Sequence, residues 1–226
     1  MVNYQTIAKV REKVTEICSE KHFIHHKWYI EYHLNIVEKI SLQLCERYFE
    51  ADQLWVLLLV WMHDFEKIVR NGSIYQGTLG KEFLEDLDFF PEDIAFIKIV
   101  RYTYFLIIMG FSLFYVPHKY KNCYISKLLL DIDIFERKTD IKLVDAKIEI
   151  KIVSSADAAA HLIGPFYSIF WWENPNMSIE NLRKSNGDKL EKDWNKKVVL
   201  PEIRDTYGNH YQFFKKNFEM TIPSIN

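Results

Sequence analysis

Glycine and proline are scarce in this chain, with only 7 and 6 copies among 226 residues. So few turn-formers exclude a turn-rich β protein. Cysteine is scarcer still. Its three copies, Cys18, Cys45 and Cys123, are scattered and form no CxxC pair. That excludes a cysteine-ligated zinc site and suits a reducing cytoplasm. An excess of one charge is also missing. The net charge of −2 leaves no electrostatic footprint for nucleic acid or a membrane surface. Two uncharged runs, Tyr102 to Pro117 and Ala158 to Trp172, fall short of the ~20 residues that span a bilayer. The opening stretch, MVNYQTIAKVREKVTE, is charged and amphipathic, unlike a secretory signal. The expectation is a cytoplasmic protein with neither nucleic acid nor membrane as partner.

What the chain does have is apolar mass: 49% hydrophobic residues over a length suited to one large domain, 1–226. The most informative stretch is Leu54 to Ile68, LWVLLLVWMHDFEKI. Its nine consecutive apolar residues, Leu54 to Met62, cover more than two helical turns with no polar face. Such a helix must be surrounded by protein. His63 and Asp64 follow at once. An unpartnered polar group in such a place costs roughly 2–7 kcal/mol, so the pair needs a reason, and a metal ion is a common one.

Other segments supply further inward-facing polar groups. Residues 3–20 have apolar positions at Ile7, Val10, Val14 and Ile17, the spacing of an amphipathic helix. A second helix is expected from Trp28 to Phe49, with the stripe Ile30, His33, Val37, Ile40, Leu44. His33 therefore points inward, and His26 lies one heptad earlier on the same face. Asp52 is placed to cap the central helix, which is expected to end near Val69. Helices are also expected over Thr78–Leu87, Pro91–Met109, Tyr124–Glu136 and Val144–Ile163. On the last of these Ile150, Val153, Asp157 and Ala160 share a face. Trp171 to Met177 reads as a turn region, and Asn186 to Phe218 as one long helix bent at Pro201. The expected fold is all-α.

His33, His63, Asp64 and Asp157 make two imidazoles and two carboxylates. That donor set suits one divalent ion among Mn, Fe, Co, Ni, Zn and Mg, with positions open for water and substrate. The ordered pattern H…HD…D, carried by EYHLNIVEKI, LVWMHDFEKI and IVSSADAAAHL, resembles the HD-domain superfamily of metal-dependent phosphohydrolases. The resemblance covers about residues 28–165. It implies an HD-domain helical bundle, here with a C-terminal helical extension over about residues 178–220. It also implies hydrolysis of a small phosphoester or nucleotide by a metal-activated water. His33, His63, Asp64 and Asp157 would be the ligands, and Asp64 or Asp157 would also accept the proton of the attacking water, Asp64 being the catalytic group favoured. Lys67 stands where relatives with HDxGK place a lysine near substrate phosphate, although Glu66 replaces the glycine. Two-metal relatives carry further histidines between the HD pair and the last Asp. Here that interval holds only His118, which implies one ion and argues against the di-iron oxygenase branch.

Blander readings stand beside these. A single buried histidine is more often a satisfied core residue than a ligand. Lys67 also reads as a solvated helix-end lysine. His161, four residues after Asp157, could reach the pocket or simply pack. His118, in a loop beside lysines, could add a ligand or lie exposed, and His26 could line the pocket mouth; His22, His25 and His210 read as surface. The basic stretch Arg183 to Lys197 could hold phosphate or be a solvated face with Trp194 packed on the core. A catalytically inactive metal- or nucleotide-binding sensor is one alternative function. An interaction protein that forms a homo-oligomer through the aromatic stretch Tyr102 to Tyr115 is another.

Overall fold

A computed structural model describes residues 3–21, 23–64, 131 and 141–219. Among the described residues the regular elements are all helical. No described helix is long and apolar enough to cross a membrane.

Helix α1 (Tyr4–Ser19) starts where the Asn3 side chain accepts the Thr6 N–H, and it buries Ile7, Val10, Val14 and Cys18. A series of turns leads to a π-helical turn, Ile30–Leu34, that runs directly into α2 (Asn35–Cys45). Helix α3 (Gln53–Met62) is capped by Asp52, whose carboxylate accepts the Trp55 N–H at 3.1 Å. A 3₁₀ turn at Leu143–Asp145 precedes α4 (Ile148–Ile163), and α5 (Phe166–Glu173) follows Pro165. Helices α6 (Ile179–Lys196) and α7 (Pro201–Glu219) complete the described chain.

The core is built around α3, which touches α1, α2 and α4. Every residue from Trp55 to Met62 is buried, as a helix without a polar face requires. Burial of each leucine or valine there is worth about 1.5–3 kcal/mol. Helix α4 packs on α3 and α2 and is rich in small buried residues: Ala156, Ala158, Ala159 and Ala160 are all buried, as are Ser154 and Ser155, whose hydroxyls bond the segment Lys197 to Leu200. Short side chains let the backbones close in. The closest approach lies just past the end of α4, where a Cβ on Gly164 would stand 2.7 Å from the Tyr32 carbonyl oxygen. Only a residue with no side chain fits against the π-helical turn there.

Several expectations change. The central helix, expected to end near Val69, ends at Met62, and the helix expected from Val144 begins at Ile148, after the 3₁₀ turn. The helix from Trp28 to Phe49 is not regular: its first part is turns and the π-helical turn, which holds five-residue rather than four-residue hydrogen bonds. Phase counted back from α2 therefore fails before Ile30. The turn expected from Trp171 begins only at Asn174, because α5 runs through the tryptophans. The long bent C-terminal helix is two helices. Residues Val198 to Leu200 are non-helical, and Pro201, which has no N–H to donate, opens α7 rather than bending a continuous helix. Helices α6 and α7 pack antiparallel: Arg183 bonds the Phe218 carbonyl, Glu191 accepts the Tyr211 hydroxyl, and Trp194 stacks on Tyr211 at 4.5 Å. The segments expected to be helical at Thr78–Leu87 and Pro91–Met109, and the aromatic stretch Tyr102 to Tyr115, lie outside the described residues.

Candidate metal centre

The four predicted ligands are delivered by three separate pieces of backbone. The π-helical turn presents His33, the end of α3 presents His63 and Asp64, and the middle of α4 presents Asp157. All four are buried. The two histidines meet at Oδ1 of Asp157, with His33 Nε2 at 3.2 Å and His63 Nε2 at 3.6 Å. Asp64 Oδ2 is 3.8 Å from His63 Nε2. Donor atoms sharing one ion at ~2.0–2.2 Å are about 3.0–4.2 Å apart, and these separations fall in that range.

The ligand atoms form two overlapping triads, each within 4.8 Å: His33, His63 and Asp64, and His33, Asp157 and His161. His161 thus joins the cluster. Its ring stacks on His33 with 5.0 Å between centroids, and its Nε2 is 4.0 Å from Asp157 Oδ1. The donor set of imidazole nitrogens and carboxylate oxygens fits a divalent ion of the first transition row or magnesium.

The tautomers are set from behind. His63 Nδ1 donates to the Val60 carbonyl at 2.8 Å, which turns Nε2 toward Asp157. His161 Nδ1 donates to Asp193 Oδ2 at 2.9 Å, so its Nε2 likewise faces the centre. Outer partners of this kind orient metal-binding histidines. Burial, together with the charge of Lys189, lowers the His161 pKa to about 4 and keeps the ring neutral. Tyr29 donates its hydroxyl to Asp64 Oδ2 at 3.2 Å. Burial and the Asp64 charge push that phenol well above its ordinary pKa, so it stays a donor.

Asp157 divides its two oxygens. Oδ1 faces the imidazoles, and Oδ2 takes the ammonium of Lys197. Burial pushes its carboxyl up, but the Lys197 charge and the contacts of His33 and His63 prevail and hold it well below the usual carboxylate range.

His33, Asp64, Asp157 and His161 line a cavity of about 600 Å³, counting its open mouth. Phe23, His25, Trp28, Tyr29 and Phe166 form the aromatic wall, and Lys189 and Lys197 reach in from α6. His25 was read as surface, yet it lines the cavity, with Nδ1 2.9 Å from Glu173. Glu173 also accepts the Trp28 indole N–H at 2.8 Å. His26, expected at the mouth, is not among the lining residues; its Nδ1 donates to the Phe23 carbonyl at 2.9 Å. The heptad count failed there because Phe23 to Tyr29 is a series of turns. Lys67 and His118 lie outside the described residues. Lys189, Asp193 and Lys197 were missed as individuals. Their spacing of four and four along one helix face was the available signal.

No family model, curated protein or solved structure matches this chain.

Proposed function

We propose that this protein is a metal-dependent phosphohydrolase acting on a small phosphoester, a nucleotide being the favoured class. The observation that carries this reading is the convergence of His33 and His63 on one oxygen of Asp157, beside a cavity that His33, Asp64 and Asp157 line. It agrees with the H…HD…D resemblance. His33, His63, Asp64 and Asp157 would hold one divalent ion, with His161 as a further donor. When bound, that ion supplies positive charge that polarises a phosphoryl oxygen and makes water acidic near neutral pH.

The chain's own groups divide the remaining work. Asp157, held ionised by Lys197, is a weak proton acceptor. That leaves Asp64, oriented by Tyr29, to take the proton as water attacks phosphorus. The new P–O bond forms as the ester P–O bond breaks, and the leaving oxygen takes a proton from solvent water to depart as the alcohol. The aromatic wall offers flat apolar surface on which a base can rest. Lys67 would steady the phosphate charge, as the resemblance implies.

A panel of nucleotides and simple phosphoesters, assayed with Mn, Ni, Co and Mg, tests the proposal. Turnover that needs metal and falls at least ~100-fold in a folded Asp64→Ala variant supports it. Full activity in that variant places the chemistry elsewhere. Metal binding with no turnover on any substrate favours the inactive metal- or nucleotide-binding sensor.

A further inference from the structure

Lys189, Asp193 and Lys197 stand four residues apart along α6 and its C-terminal cap. Asp193 is their shared anchor. Lys189 Nζ lies 2.6 and 2.8 Å from its two oxygens, and Lys197 Nζ is 3.9 Å from Oδ1. The Asp193 side chain is only 3% exposed, whereas that of Lys189 is 32% exposed and lines the cavity. The ammonium is thus held at its base and open on its cavity side. It carries three N–H donors, of which the two contacts to Asp193 use at most two. The Phe166 ring lies 5.7 Å below it. Burial and the nearby Lys197 charge lower the Lys189 pKa, the mark of an ammonium that gains from an added anion.

Charge counting points to the kind of anion. Among the described residues at the cluster, Asp64, Asp157 and Asp193 contribute −3 and Lys189 and Lys197 contribute +2, which leaves −1 with the histidines neutral. A divalent ion would change this to +1. The site then favours a multiply charged anion that can reach metal and ammonium together. A phosphate group, with several equivalent acceptor oxygens, matches that requirement better than a carboxylate.

We infer that Lys189, backed by Lys197 and braced by Asp193, is an anion subsite for the phosphate group of the ligand. This deepens the phosphohydrolase reading and rests on it only for the gain in affinity when metal is present.

The test is calorimetric titration of inorganic phosphate into the full chain, both Mn-loaded and metal-stripped. Lys189→Met should weaken phosphate binding at least ~10-fold in the Mn-loaded chain, the scale of one charge-assisted hydrogen bond. Its Mn affinity should stay within about threefold, and Lys189→Arg should retain phosphate binding. Phosphate should also slow amine-directed labelling of Lys189 in the wild type, read by peptide mass spectrometry, so the result does not depend on a variant folding. Equal phosphate affinity in Lys189→Met, or no protection of Lys189, overturns the inference. If the wild type binds no Mn, the metal-centre reading fails. Protection of Lys189 by phosphate in the metal-stripped chain would still support the subsite, and its absence would still reject it.

Discussion

The imidazole rings of His33 and His161 lie face to face, with planes 6° apart and centroids 5.0 Å apart. Two charged rings would repel in that arrangement, and burial keeps His161 neutral. The stack holds both Nε2 atoms near the same oxygen of Asp157, at 3.2 and 4.0 Å. His161 therefore braces His33 as well as offering a donor of its own.

That relationship predicts a graded loss of metal. Elemental analysis of the loaded wild type should give about one ion per chain, because both triads include His33. His161→Ala should lower metal affinity by about 10–100-fold, the scale of losing a supporting partner. Unchanged affinity would show that His161 only packs.

Asp193→Asn tests the charge network from behind. Asp193 is buried against His161, Lys189 and Lys197. Burial pushes its carboxyl up, but the His161 hydrogen bond and the two lysine charges outweigh this and hold it well below the ordinary range. Removing its charge leaves buried ammonium groups under-compensated, so urea unfolding should show a loss of about 3 kcal/mol. A loss under about 0.5 kcal/mol would mean that the network does not support the fold.

Gly164→Ala addresses the π-helical turn. The added methyl would meet the Tyr32 carbonyl at 2.7 Å. Relief requires moving the turn that carries His33, at a cost of about 1–3 kcal/mol. Metal affinity should fall along with thermal stability. A variant that loses stability but keeps its metal affinity would show that the turn can move without His33.

Thiol chemistry gives a pH-dependent prediction. Burial, reinforced by the Asp64 charge, pushes the Cys18 thiol up to about 12, and burial with the Glu149 charge pushes Cys45 to about 11. A raised thiol pKa keeps the unreactive S–H form, so at pH 8 the thiolate fraction of Cys18 is about 10⁻⁴. Iodoacetamide at pH 8 should leave both residues unmodified in the native chain and alkylate both after unfolding. Peptide mass spectrometry reads the outcome site by site. Rapid native alkylation of Cys18 would contradict its burial beneath the metal centre.

Much of this site was legible from spacing. The unbroken apolar run from Leu54 to Met62 announced a fully buried helix, and Asp52 was recognisable as its cap. His33 and Asp157 faced inward because each interrupts an apolar stripe. Periodicity failed where the backbone left the regular α-helix, at the turns that carry His25 and His26. Composition misled on α6 as well. A helix written RKSNGDKLEKDWNKK has charges on every side, and no local feature tells which lysines meet solvent and which meet Asp157. That distinction depends on the packing of α6, which its own sequence does not encode. Pro201 was noticed, but whether it bends one helix or begins another was decided by the non-helical residues before it.

The pairing of α3 with α4 has a consequence for how the chain is made. Nearly all of α3 is greasy surface, and its α4 cover is synthesised roughly a hundred residues later. Contacts so distant in sequence slow folding, because the intervening chain must close before they form. His33 and His63 emerge early, while Asp157 arrives only with α4. Asp64 comes with His63, so an early triad can form, but the full donor set is complete only once α4 is in place. During refolding, metal uptake should lag the appearance of helical signal, and tight capture of the ion should mark the moment when α4 docks.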